Sequence, residues 1–389
     1  MITRREVALG AGALSAAPPL VLAQTSSADR AETGRIRVTF ITDRVRLPEA
    51  DPELFGSELP PKGVPRLRRG TIDAQRSGGG WIAIPSTLRL EPATVEASRD
   101  ASDLVGQIET GGEVLSTIDE FLRGDTRAQT GSGGNRKIFF VHGYRNSFRG
   151  SISSAAQLAS DHGASDVFCF SWPTQDRLLG YWHDQELAPE AGKDLAPLFG
   201  RVLQLLAGPM AGQRVDVVAH SMGAQVMSGA MRAIRTKKSD LLERRLLGLT
   251  LLAAADEDYM SLSDVSSLAS LPTISETVTV YTNNADFALT FSQNVVHLRA
   301  RLGMVGPSDF DRLSKNVYWI DCSDLLTSEG DGASHSYFVT SPGVRADMKQ
   351  VLAGRAQNEI APRKRIGRTN KYVLPFDTRT AYAIERGYS

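Results

Sequence analysis

Ser221 lies in Ala219-His220-Ser221-Met222-Gly223, between an apolar run rich in Val and Ala and a stretch with helical spacing. A serine hydroxyl is a weak nucleophile, useful only if something exposes it and takes its proton. A tight strand-to-helix turn does the first job. Such a turn strains the serine backbone, so the residues two before and two after must be small. Ala219 and Gly223 both are, although Ala stands where Gly is usual. The helix that begins behind Ser221 directs its positive end at charge developing there. A chance serine between a strand and a helix is the alternative, and the strand, the helix and the small flanks together speak against it.

The base must come from six histidines: 142, 162, 183, 220, 297 and 335. When acid and then histidine follow the serine in chain order, only His297 and His335 qualify. His297 falls inside FALTFSQNVVHLRARL, where a packed or surface imidazole is the simpler account. His335 falls in GDGASHSYF, a loop after the last expected strand, from which an imidazole can reach over the serine. A carboxylate must then hold the imidazole tautomer and stabilise the imidazolium. Asp286, after VTVYTNNA, is the first choice because its strand just precedes that of the histidine. Asp256, after LTLLAAA, is the alternative acid, with a helix cap or a loop hydrogen bond as its plainer role.

Two backbone N–H groups are needed for an oxyanion. Met222, next after the serine, supplies one. The turn His142-Gly143-Tyr144 after IFFV supplies the other, at Tyr144, with Gly143 allowing close backbone approach. One base suffices, so His142 and His220 read as structural hydrogen bonders.

The elements that must position these groups follow from periodicity. Strands are expected at 35–42, 81–84, 138–141, 166–170, 214–219, 247–254, 277–281 and 316–320. Helices are expected at 113–122, 151–160, 194–206, 223–234 and 287–301, and from Pro342, with Ser341 as N-cap, to Gly354. A polar helical segment is expected after 254, and 47–80 reads as an irregular excursion. IFFV is a continuous apolar run, as a strand covered on both faces requires. The alternation predicts one α/β domain over 35–360, an eight-stranded, mostly parallel, doubly wound sheet with helices on both faces. Residues 361–389, with Arg363, Lys364, Arg365, Arg368 and Lys371, read as a basic, mobile tail.

The 389 residues carry 44 Lys plus Arg and 44 Asp plus Glu, so no bulk positive charge favours nucleic acid. Cys169 and Cys322 are the only cysteines and neither is in a CxxC, which disfavours disulfide scaffolds, cysteine zinc sites and iron–sulfur clusters. Their strands are expected to lie well apart, too far for a disulfide. No cofactor or metal is called for. Thr3-Arg4-Arg5-Glu6 before a mildly apolar stretch resembles a twin-arginine export signal, with cleavage after Ala23 and a linker over 24–34. That predicts a periplasmic or secreted protein, the export machinery as a partner, and no membrane span in the mature chain.

Taken in order, FITDR, WIAIPS, VHGYRNSF, FSWP, YWHD, AHSMGAQ, LAAADED, YTNNADFAL, RLG and SHSYF resemble a bacterial α/β-hydrolase family of unknown function. Its members carry an HGY turn, an HSMG elbow and a GHSYF-like end, and the likeness spans roughly residues 36–340. It implies a lipase- or esterase-like serine hydrolase without a metal, with Ser221, Asp286 and His335 at the matching positions. Ala333-Ser334 departs from the usual Gly before the histidine, which alters loop stiffness more than chemistry. The expected activity is cleavage of a small-molecule or lipid ester through an acyl-enzyme. An acyltransferase using the same residues, or a binding protein that has kept only the fold, are the alternatives.

Overall fold

The computed structural model describes residues 34–61, 64, 66–91, 112–124, 136–164, 166–175, 177 and 180–375. The compact unit begins at Arg35. The expected signal segment 1–23, residues 24–33 of the expected linker 24–34, and residues 376–389 lie outside the described residues.

The strands are β1 (Arg35–Thr42), β2 (Arg68–Ser77), β3 (Gly80–Ala83), β4 (Arg89–Leu90), β5 (Arg136–Val141), β6 (Asp166–Ser171), β7 (Arg214–His220), β8 (Leu247–Ala253), β9 (Ser275–Thr282), β10 (Val317–Asp321), β11 (Lys364–Arg365) and β12 (Lys371–Val373). They form one twelve-stranded sheet in the order β11-β12-β10-β9-β8-β7-β5-β6-β1-β2-β3, with β4 on β2. From β12 to β1 every pairing is parallel. Only β2, β3, β4 and β11 join antiparallel, at the two ends. The expected eight-stranded sheet is therefore too small by four strands, although its mostly parallel, doubly wound character holds.

The main helices are α1 (Glu113–Arg123), α2 (Phe148–His162), α3 (Tyr181–Ala207), α4 (Gly223–Lys237), α5 (Phe287–Phe291) and α6 (Pro342–Leu352). Strand side chains alternate between two cores. Phe139, Val141, Phe168 and Val217 pack with α1, α3 and α4, whereas Ile138, Phe140, Val167 and Val218 pack with α2 and α6. Because both faces are covered, the central strands read as unbroken apolar runs. α3 crosses α4 so closely that a Cβ on Gly192 would stand 2.9 Å from the Gly229 Cα.

The order also fixes where a site can form. After β5 the chain moves outward to β6, then returns to β7 on the other side of β5. The chain therefore leaves β5 and β7 toward opposite sides of the sheet, the switch point at the carboxyl edge where an open α/β sheet places its ligands.

Four local expectations are corrected. The stretch read as irregular contains β2, ten residues in which Gly70, Ile72 and Ala74 face inward between polar neighbours; its Arg-rich outer face masked the alternation. The segment after β8 is a run of turns rather than a helix. The helix expected over 287–301 is broken into α5, a π-helical turn (Ser292–His297) and a left-handed Leu298. The break lets Ser292 and Arg301 both reach the Asp256 carboxylate, at 2.6 and 2.7 Å. Lastly, the basic tail is not a solvated appendage where it is described. β12 pairs with β10, and Tyr372 and Leu374 are buried. The Arg363 guanidinium lies on Asp347 at 2.6 and 2.7 Å, and Asp347 also accepts from the Tyr281 hydroxyl at 2.8 Å.

Cys169 on β6 and Cys322 just after β10 are buried and free. Five strand steps separate their strands, on the order of 24 Å at the usual strand spacing.

Removing one partner of a buried ion pair strands the other charge. Arg363→Ala is therefore expected to lower the unfolding free energy by about 3–5 kcal/mol in urea titration. A loss below about 1 kcal/mol, the range of surface pairs, would return this segment to the surface.

Candidate active site

β7 ends at His220, and Ser221 turns the chain into α4 with a φ of 53°. That left-handed value strains a residue bearing a Cβ, at a cost of about 1–3 kcal/mol. Its surroundings hold it there. The Ser221 N–H donates to the Ala253 carbonyl at 3.0 Å, and the Ser221 carbonyl accepts from the Asp256 N–H at 3.0 Å. Two glycines admit the turn. A Cβ on Gly143 would lie 2.4 Å from the Ser221 Cβ, and one on Gly223 would lie 2.5 Å from the carbonyl oxygens of Val141 and His142. The turns after β5 and β7 thus touch through backbone. Tyr144 follows the glycine against Ser221, and Met222 is the N-cap position of α4.

The structure brings Ser221, His335 and Asp286 together. His335 Nε2 is 2.6 Å from Ser221 Oγ, and His335 Nδ1 is 2.8 Å from Asp286 Oδ2. With Nδ1–H donating to the carboxylate, Nε2 is left to accept from the serine hydroxyl. Burial pulls the His335 imidazole down, but the Asp286 charge and hydrogen bond outweigh it and leave the group above its usual value. Asp286 is fully buried, and its other oxygen caps α5 by accepting from the Leu289 N–H at 3.0 Å.

Asp256 is engaged elsewhere. Its carboxylate accepts from Arg301, Ser292 and the Tyr181 hydroxyl. His297 lies 3.3 Å from that same hydroxyl.

Two of the positioning groups, Asn283 and Arg44, are not singled out by the sequence. The Asn283 amide donates to the carbonyls of Gly332 and Ser334 at 2.9 and 3.1 Å, clamping the loop that carries His335. His220 Nε2–H donates to the His335 carbonyl at 3.0 Å, and its ring stacks on Phe338; its expected structural role fits this contact. Arg44, wholly buried, holds the other turn by donating to the Asn146 carbonyl at 2.6 Å and the Ser171 hydroxyl at 3.0 Å. His142 Nδ1–H donates to the Gly143 carbonyl at 2.8 Å, while burial and then the Arg44 charge push the ring down to about 3, so it stays neutral. The NNAD of Thr282-Asn283-Asn284-Ala285-Asp286 and the DR of FITDR contain Asn283 and Arg44, and neither says where its side chain goes.

Among the described residues no group of His, Cys, Asp and Glu could hold a metal ion, and no helix is long and apolar enough to cross a membrane.

Comparison with known proteins bears on the family of the chain. A search of curated proteins returned no match. Among solved structures, one described as a structural and mechanistic analysis of two prolyl endopeptidases aligns with 82% of this chain and 41% of its own, at 10% identity and a TM-score of 0.25. The chain spans about two fifths of that structure's length. Residues 128–355 match the family described as alpha/beta hydrolase of unknown function. That match covers more than half of the sequence and contains Ser221, Asp286 and His335, and the chain belongs to this α/β-hydrolase family.

Proposed function

We propose that the protein is a serine hydrolase that cleaves carboxylic esters through an acyl-enzyme. The observation that carries this reading is the unbroken chain from Ser221 Oγ through His335 to Asp286, at 2.6 and 2.8 Å, on a strained strand-to-helix turn. In this mechanism His335 Nε2 takes the Ser221 proton as Oγ attacks the ester carbonyl. The N–H groups of Met222 and Tyr144 receive the oxyanion, aided by the positive end of α4. Collapse breaks the ester C–O bond, and His335 returns its proton to the departing alcohol. A water then attacks the acyl-serine with the same base, releasing a carboxylic acid and restoring Ser221. Asp286 holds the imidazole and balances its charge while it carries the proton.

Ser221→Ala is expected to reduce kcat on nitrophenyl esters by on the order of 10⁴–10⁶ and to abolish fluorophosphonate labelling, with thermal unfolding little changed. Retained turnover in the folded variant would exclude Ser221 as the nucleophile.

The base works only when neutral. Because its pKa is raised, kcat/KM is expected to climb with pH through a midpoint above the usual histidine value. Asp286→Asn removes the charge that raises it, so the midpoint moves down, and kcat falls by roughly 10⁴. Asp256→Asn leaves the buried Arg301 without its counter-charge, so it costs stability, about 3–5 kcal/mol, and lowers the midpoint less than Asp286→Asn does. The reverse pattern in the pH profiles would transfer the acid role to Asp256.

Export through the twin-arginine route is part of the same proposal, supported by Thr3-Arg4-Arg5. Replacing Arg4 and Arg5 by Lys keeps the charge and is expected to leave an active, untrimmed cytoplasmic form, whereas the wild type begins at Gln24. Export and trimming of the double variant would remove this assignment.

A further inference from the structure

A cavity of about 450 Å³ opens at the amino edge of the sheet. Leu249, Tyr318 and Tyr372 line it from β8, β10 and β12, while the turn after α6 brings Arg355 and Gln357, and β11 brings Arg365. β9 contributes Glu276 here and runs eight residues, about 26 Å, toward the opposite edge with Asn283 and Asp286. The cavity is thus built in part by the segment whose charges suggest a solvated tail, and the buried pair of Arg363 with Asp347 pins that segment in place. The charges around the cavity do not cancel. Arg214 is answered by Asp216 at 3.3 Å and Glu276 at 3.7 Å. Arg355 and Arg365 meet no carboxylate among the described residues. Arg355 Nη1 donates to Gln350 Oε1 at 3.3 Å, and Arg365 donates from Nε to the Thr369 carbonyl at 2.6 Å and from Nη2 to the Arg368 carbonyl at 3.3 Å. These neutral acceptors hold both side chains and leave further guanidinium N–H groups unused. The C-terminal end of α6 borders the cavity at Val351 and Gly354 with about half a negative charge, too little to balance two cations. The neutral groups are donors as well. Gln357 Oε1 accepts from Arg363, so its amide nitrogen is left to donate. Tyr372 is only 3% exposed, yet its hydroxyl has no hydrogen-bond partner among the described residues. The Tyr318 hydroxyl has none either. Buried polar groups are normally paired, so such a donor beside a cavity calls for an acceptor.

We propose that this cavity binds a small organic phosphate monoester, with its phosphoryl group between Arg355 and Arg365 and its organic part over Leu249, Tyr318 and Tyr372. A phosphoryl dianion matches the two unanswered guanidinium charges, and its three oxygens suit a wall made of donors. Its volume falls in the range of small-molecule sites and exceeds what a bare phosphate ion fills, so an organic part is expected. The Tyr318 and Tyr372 rings, 6.4 Å apart and tilted, offer that part a flat apolar surface. The inference is independent of the serine-hydrolase reading, because none of Ser221, His335 and Asp286 lines the cavity.

The test is isothermal titration calorimetry of the purified protein with phenyl phosphate, inorganic phosphate and succinate. Phenyl phosphate is expected to bind saturably, one molecule per chain, and more tightly than the other two. Arg355→Gln and Arg365→Gln each remove a charged donor and are expected to weaken it by about tenfold or more. Tyr318→Phe removes one neutral donor and is expected to weaken it by about threefold. Arg123→Gln, which removes an exposed arginine on α1, keeps the wild-type affinity. Arg355 and Arg365 are exposed, so these variants are expected to fold, as thermal unfolding will verify. If Arg365→Gln loosens its own turn, the affinity of Arg355→Gln decides alone. Absence of saturable binding, or unchanged affinity in Arg355→Gln, overturns the proposal. Inorganic phosphate binding as tightly as phenyl phosphate overturns it too, because the cavity then takes a bare ion. Succinate binding as tightly does the same, because the cavity then selects charge and not a phosphoryl group.

Discussion

A close approach of backbone to backbone, between the turns leaving β5 and β7, governs the rest. Ser221 can hold its left-handed angle only because Gly143 and Gly223 leave no Cβ in the gap. That contact in turn requires β5 and β7 to be neighbours in register, as they are from Arg136 opposite Arg214 to Val141 opposite Ala219. It also requires the two turns to be rigid. Arg44 and the neutral His142 tie down one, and the Ala253 and Asp256 backbones tie down the other. Strain of about 1–3 kcal/mol at one serine is thus held by two central strands whose side chains are buried on both faces. The sheet is the scaffold of the proposed reaction in a mechanical sense: slipping either strand by one residue would turn the serine away.

The central strands and the site were legible in the sequence for the same reason. Strands covered on both faces must be apolar throughout, so β5, β7 and β8 stand out as continuous runs. The serine stands out because only small residues tolerate its turn. The ends of the sheet were not legible. β2 has one solvated face carrying Arg68, Arg69, Asp73, Gln75 and Arg76, and its inward residues are as small as Gly70 and Ala74. Residues 361–375 look like a solvated tail because their charges dominate, yet the Arg363 side chain is buried. Its partner Asp347 sits on α6 and gives no hint of burial by type. Pairing of two opposite charges across the fold leaves no periodic trace in either segment.

Asp286 and Asp256 show the limit most directly. Each stands shortly after a parallel strand, at the carboxyl edge that Ser221 also occupies, and local sequence does not separate them. What separates them is the cation each one meets. Asp256 faces the Arg301 guanidinium, which is always charged, together with two hydroxyls. A carboxylate so matched gains less from a proton appearing nearby than Asp286 does, and it holds Tyr181, Ser292 and Arg301 in one place. Asp286 faces an imidazole that can be neutral or charged. Its interaction therefore strengthens at the moment the imidazole accepts a proton, which is the property that lowers a barrier rather than merely stabilising a fold. The two carboxylates share one edge of the sheet, and in the proposed mechanism the permanence or impermanence of the neighbouring positive charge divides structure from chemistry between them.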